Sequence, residues 1–275
     1  MLAWLVGLTA RADAARAGTV PAGFTDSVAI SGLTDPTAVR FARDGRVFVA
    51  EKSGLIKVFD GVSDPTPTVF ADLRTNVHDF WDRGLLGLAL DPAFPAKPYV
   101  YVLYTYDHVL GSPAPPPRWG TPGASSDSCP SPPGPTADGC VVSGRLSRLQ
   151  ANGNVMSGSE QVLIEDWCQQ YPSHAGGGMG FGADGYLYFT GGDGAAWHFA
   201  DYGQDGNPVN PCGDTPGGVG SAQSPPTAQG GRLRVQDLRT PGDPVTMSGS
   251  LIRICLLYTS PSPRDLSTSR MPSSA

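Results

Sequence analysis

In the stretch SHAGGGMGFGADGYLYFTGGDG, Ser173 to Gly194, the side chains able to do chemistry are His174 and Asp193. An aspartate that accepts from one imidazole nitrogen fixes the tautomer and leaves the other nitrogen free to take a proton from an alcohol. Gly176, Gly177 and Gly178 would let a flat cofactor or substrate come close to the backbone. The same spacing also suits plain structure, as a loop histidine, a strand and a glycine turn closed by aspartate. Spacing alone leaves both readings open.

Other chemistries find less support. GGGMGFG has no helix after it and no Lys-Ser/Thr, so it is not a phosphate loop. No nucleophile elbow and no His-Glu-x-x-His is present. Asp193, Asp201, Asp205 and Asp214 match no calcium-loop spacing and read as turn formers, so no metal ligand is assigned. His78, His108 and His198 have no convincing partners in the sequence.

A loop histidine and a residue just past the next strand meet when both lie at one end of a sheet. The chain of 275 residues has 36 Gly and 27 Pro, and no window keeps a helical apolar period. Short runs of Val, Tyr, Phe and Leu bounded by Asp-Gly, Gly-Gly or Pro predict an all-β fold. Three segments share one plan. ARDGRVFVAEKSGLIKVFDG predicts a hairpin of Arg46 to Glu51 and Leu55 to Asp60. LDPAFPAKPYVYVLYTYD with GRLSRLQANGN gives a second unit, and GADGYLYFTGGDG with GSLIRI a third. The turn aspartates Asp44, Asp91 and Asp184 are separated by 47 and 93 residues. A period near fifty with about four strands per unit is the mark of propeller blades. Two insertions interrupt it. The segment 111–140 reads as a solvated, disulfide-tied excursion, and 195–247 as a loop able to touch a ligand.

The net charge of −6, with no Lys/Arg cluster, argues against nucleic acid or an anionic membrane as partner. Residues 1–17, MLAWLVGLTARADAARA, read as a signal-peptide remnant, so an exported, secreted or periplasmic protein is expected. No later stretch is long and apolar enough to span a bilayer. Residues 255–275, CLLYTSPSPRDLSTSRMPSSA, resemble a translated sequencing adapter, and the natural sequence is expected to stop near Ile254. Four cysteines remain, and an exported protein pairs them. The expected bridges are Cys129–Cys140 and Cys168–Cys212, although sequence does not fix connectivity.

The motif of His174, Gly176-Gly177, Met179, Phe181-Gly182, Asp184-Gly185, Leu187-Tyr188 and Gly192-Asp193 resembles the signature of the glucose/sorbosone dehydrogenase family. DRGLLGLALDPAF, Asp82 to Phe94, and RVQDLRTPGDP followed by GSLIRI match it as well. The resemblance covers residues 23–254. It implies a six-bladed propeller, of which this chain holds about the first three blades, with pyrroloquinoline quinone (PQQ) on the top face held by Ca2+. It also implies that His174 is the base toward a sugar's anomeric hydroxyl as hydride passes to the quinone, with an external electron acceptor. Asp193 would orient His174, and Asp82 would stand near substrate and cofactor. The family's basic PQQ-gripping residues and calcium-binding carbonyls fall beyond Ile254. Met179, Ala183 and the cysteine-bearing insertion after Gly194 depart from the family pattern. The alternative is a non-catalytic propeller of the hedgehog-interacting type. A lactonase-like hydrolase would need clustered metal carboxylates that the sequence does not show.

Overall fold

The computed structural model describes residues 20–108, 118–129, 140–169, 172–192 and 247–256, and every regular element among them is a strand. The first sheet is a meander of β1 (Pro36–Phe41), β2 (Val47–Glu51), β3 (Leu55–Phe59) and β4 (Thr68–Asp72). The second repeats it with β5 (Leu85–Leu90), β6 (Tyr99–Tyr106), β7 (Val142–Asn152) and β8 (Val155–Gln169). The third holds β9 (Gly176–Phe181), β10 (Leu187–Gly191) and β11 (Leu251–Ile254), and all strand pairs in the three sheets are antiparallel.

The repeated aspartates have one local function. Asp44 Oδ1 accepts from the Arg46 N–H at 3.2 Å, Asp91 Oδ1 from Ala93 at 2.9 Å, and Asp184 Oδ1 from Tyr186 at 3.2 Å. Each carboxylate thus closes a turn over its own backbone two residues on, immediately after the first strand of a sheet. The predicted hairpin of the first unit is β2–β3, and the strand that returns after the 195–247 insertion is β11, paired to β10.

The sheets stack face to face. In β6, Val100, Val102, Tyr104 and Tyr106 join the core shared with the first sheet, while Tyr101 and Leu103 join the core shared with the third. A period of two that is apolar on both sides is what a fully covered sheet requires. The first strands line up as β1 beside β5 and β5 beside β9. The Thr37 hydroxyl donates to Leu85 O at 2.6 Å, and Arg40 Nη2 reaches across to Met179 O at 2.7 Å. Inner strand against inner strand, with each meander running outward, is the arrangement of propeller blades, and three successive sheets sweep part of such a ring.

Close approach at the centre depends on missing side chains. A Cβ on Gly177 would stand 2.7 Å from Leu86 Cβ and 3.1 Å from Leu86 O. Gly177→Ala should therefore force β5 and β9 apart and destabilise the full-length protein by about 1–3 kcal/mol, read as a lower urea midpoint. An unchanged midpoint would show that the two strands can separate without cost.

Candidate functional site at the entrances of the inner strands

Among the described residues, three that are not glycine have a left-handed backbone, and each lies just ahead of an inner strand. Asp35 (φ +44°) precedes β1, Trp81 (φ +52°) precedes β5, and His174 (φ +54°) precedes β9. Such strain persists only where surrounding contacts impose it, and it gathers at functional sites. The contacts form a chain around one rim. The Lys52 N–H donates to Asp35 O at 3.0 Å, and the Leu85 N–H to Lys52 O at 2.8 Å. The Asp82 N–H donates to Pro172 O at 3.0 Å, and the His174 N–H donates to Asp82 Oδ2 at 3.1 Å.

The structure therefore brings Asp82 and His174 together, across two sheets and 92 residues of chain. His174 is half-buried and Asp82 exposed. Gly192 packs on the His174 carbonyl, and it is the residue immediately before Asp193, so β10 delivers the chain beside the histidine. Asp193 itself lies outside the described residues. The glycine run also has a structural use. A Cβ on Gly176 (φ +87°) would meet Thr190 O at 2.6 Å, and Gly177 is packed on Leu86. The Cβ positions of Gly176 and Gly177 are thus taken up by neighbouring strands, while Gly178 beside them is exposed.

Behind this rim the described part of the 111–140 insertion is anchored as well as partly solvated. Of its residues, 118–129 and Cys140 are described. The Asp127 N–H donates to Asp79 O at 2.9 Å, and Asp127 Oδ2 accepts the Asp79 N–H at 2.6 Å. The Asp79 carboxylate is in turn ion-paired to Lys52. Asp107 accepts from the Trp119 N–H at 3.0 Å and from the Gly120 N–H at 3.2 Å. Cys129 and Cys140 form the expected disulfide. Cys168 is also disulfide-bonded, while Cys212 lies outside the described residues.

His78, unassigned from sequence, is wholly buried behind the rim. Burial first, and then the Arg83 charge, depress its pKa to about 3, so it stays neutral at ordinary pH. Arg83 Nη1 faces His78 Nδ1 at 3.5 Å, leaving Nε2–H to donate to Ser128 O at 3.4 Å. Among the described residues, His78, Cys129 and Cys140 are the group of His, Cys, Asp and Glu close enough to share an ion, but the two sulfurs are bonded to each other and offer no thiolates. Lys52, Asp79 and Trp81 were not singled out from the sequence. Trp81 had one usable signal, an aromatic residue directly before the Asp82 motif.

The sequence profile of the family described as "Glucose / Sorbosone dehydrogenase" matches residues 33–210. The chain is 28% identical over 185 residues to human Hedgehog-interacting protein, covering 60% of this chain and 21% of that protein. The mouse protein of the same name is 27% identical over 181 residues, again covering 60% of this chain and 21% of the relative. Among solved structures, a putative oxidoreductase (glucose dehydrogenase) from Thermus thermophilus is 28% identical, with 61% of this chain and 40% of that one covered and a TM-score of 0.44. The PQQ-bound aldose sugar dehydrogenase of Streptomyces coelicolor is 18% identical, covering 63% of this chain and 42% of that one, with a TM-score of 0.45. The chain thus spans about a fifth of those curated relatives and about two fifths of those structures.

The anchored insertion makes a pH prediction. Burial raises the Asp127 carboxyl to about 6, and nearby Asp107 and Asp79 add to the effect against the opposing Asp79 N–H and Lys52. Between roughly pH 4 and 6 the folded protein holds a proton that the unfolded chain has lost, so stability falls as pH rises through that window and is level above it. Asp127→Asn should remove this slope, worth about 2–3 kcal/mol, in unfolding midpoints measured from about pH 4 to about pH 7. A slope that persists in the variant would place its origin elsewhere.

Proposed function

The chain belongs to the glucose/sorbosone dehydrogenase family, and from that premise we propose that the full-length protein oxidises an aldose, or a similar sugar, at its anomeric carbon with PQQ as cofactor and His174 as general base. The observation that carries the reading is the strained His174 backbone, held by the Asp82 carboxylate at the entrance of an inner strand. The left-handed conformation recurs at the entrance of each inner strand, and the long-range N–H···carboxylate bond adds a second hold at His174. Together they hold an imidazole in one place on a propeller rim.

In this reading the imidazole takes the proton of the anomeric hydroxyl while the C–H electron pair leaves as hydride, so the carbinol carbon becomes a lactone carbonyl. Asp82 fixes the backbone that carries the imidazole, and the proposed partner Asp193 orients the ring. PQQ, when bound with Ca2+, supplies the two-electron acceptor, and an external acceptor would reoxidise it. The described residues fit the substrate side of such a site and not the grip on an anionic quinone. Lys52 is engaged by Asp79, and the guanidinium of Arg83 is wholly buried, donating to Gln169 O at 3.0 Å. No step is therefore routed through cofactor contacts of these sheets. Export from the cell belongs to the same proposal.

A second reading rests on the likeness to the Hedgehog-interacting proteins, in which the rim would bind a protein partner without catalysis. The two readings part at His174. In the full-length protein supplied with PQQ and Ca2+, His174→Ala should cut dye-linked sugar oxidation by about a hundredfold or more, with cofactor binding largely kept. Retained turnover would remove His174 as the base, and absence of turnover in the unaltered protein would favour the binding module. Asp82→Ala should lower kcat about tenfold, while Asp82→Asn, which keeps an acceptor oxygen for the His174 N–H, should retain most of it. Equal losses in both variants would mean that the carboxylate charge, and not its hydrogen bond, is what matters.

A further inference from the structure

We propose that Trp81 is the platform on which the sugar ring lies, and that the site therefore selects aldopyranoses with an unobstructed C–H face. This rests on the sugar-oxidising reading above, since it assigns the binding surface of that same site. Trp81 is 52% exposed, and its backbone is left-handed at φ +52°. A bulky residue at positive φ is a genuine outlier, so local contacts impose it. One face of the indole is taken. The Phe80 ring stacks on it at 5.4 Å between centroids and 13° between planes, and Phe80 is seated near the buried His78 ring at 6.2 Å. The indole is thus braced from behind while half its surface meets solvent.

Position supplies the rest. Trp81 is joined directly to Asp82, whose carboxylate holds the His174 N–H and whose own N–H is tied to Pro172. An exposed aromatic plane on the residue next to a carboxylate that holds a histidine loop is a combination suited to pyranose recognition. The axial C–H groups of a ring with equatorial hydroxyls carry slight positive charge and meet the negative face of the indole, while the hydroxyls find polar partners at its edge. A sugar with an axial hydroxyl on that face would be held off the ring. Phe41 is exposed as well, but it ends β1, at the opposite end of the inner strands from this rim.

The test uses the full-length protein and methyl β-D-glucopyranoside, whose blocked anomeric oxygen prevents oxidation, so binding is read apart from turnover. Saturation-transfer NMR should show transfer to the ring C–H protons in the unaltered protein. Trp81→Phe, which keeps a π-face, should retain most of it, and Trp81→Ala should lose it. In turnover of D-glucose with PQQ and Ca2+, Trp81→Ala should raise KM about fivefold to tenfold and change kcat less than about twofold. No transfer in the unaltered protein, or equal transfer in Trp81→Ala, overturns the platform. If transfer depends on Trp81 but the unaltered protein oxidises no sugar, the platform stands and the dehydrogenase reading falls. Normal oxidation with an unchanged KM in Trp81→Ala leaves the dehydrogenase and removes the platform.

Discussion

The structure depends on one constraint, that the first two sheets are apolar on both faces and are stable only when both are covered. The middle sheet meets it fully. Its β6 sends Val100, Val102 and Tyr104 to one neighbour and Tyr101 and Leu103 to the other. The first sheet follows the same rule through β2, where Phe48 and Ala50 face the middle sheet while Val47 and Val49 are covered by Ile30 and Leu33. Burial of both faces fixes the stacking, and stacking twisted sheets by their faces sets the inner strands side by side. No single hydrogen bond positions the rim. It is where three inner strands are made to begin together.

That geometry explains why strain collects there. The inner strands β5 and β9 are entered from the outer edge of the preceding sheet, and the chain must turn sharply to start each of the three. The turn falls on Asp35, Trp81 and His174, none of them glycine. A left-handed non-glycine residue costs on the order of 1–3 kcal/mol, and the links between sheets offset it. Lys52 ties the first entrance to the second, and Asp82 ties the second to the third. The rim is therefore one connected object, and the placement of His174 is a property of two sheets rather than of its own loop. The chain belongs to a dehydrogenase family, but this reason for a defined histidine position is mechanical and holds whatever the rim binds.

Much of the fold was legible because it is written in local chemistry. The turn aspartates declare the repeat, since each bonds its own backbone two residues on, and β2 and β3 alternate around a glycine turn. The pairing of Asp82 with His174 was only half legible. Family likeness placed both near a ligand, but a bond from a backbone N–H to a carboxylate 92 residues away leaves no trace in spacing. The glycine run was half legible for a related reason. Its composition speaks of close approach but not of what approaches, and the partners of Gly176 and Gly177 are protein strands. The 111–140 insertion, rich in proline and serine, reads as solvated, yet Asp107 and Asp127 fasten it through backbone N–H groups that any sequence would supply. Trp81 was passed over because exposure is a property of the folded surface.

Charge on the rim bears on the proposed division of labour. A proton acceptor and a sugar platform need a polar but nearly uncharged surface, whereas an anionic cofactor needs free cations. Lys52 answers to Asp79, and its charge is further offset by the carboxylate of Asp127 behind it. Arg83 is wholly buried, and burial lowers its pKa to about 9, so its guanidinium stays charged at neutral pH while its reach is spent on Gln169 O and His78. A cation so placed supports the wall of the rim and does not extend above it. In the proposed reading, proton abstraction and cofactor binding are separable tasks on a ring, because each entrance is built by its own pair of sheets. In that reading the sheets described serve the first task, and their cations are held within the wall by Asp79 and Gln169.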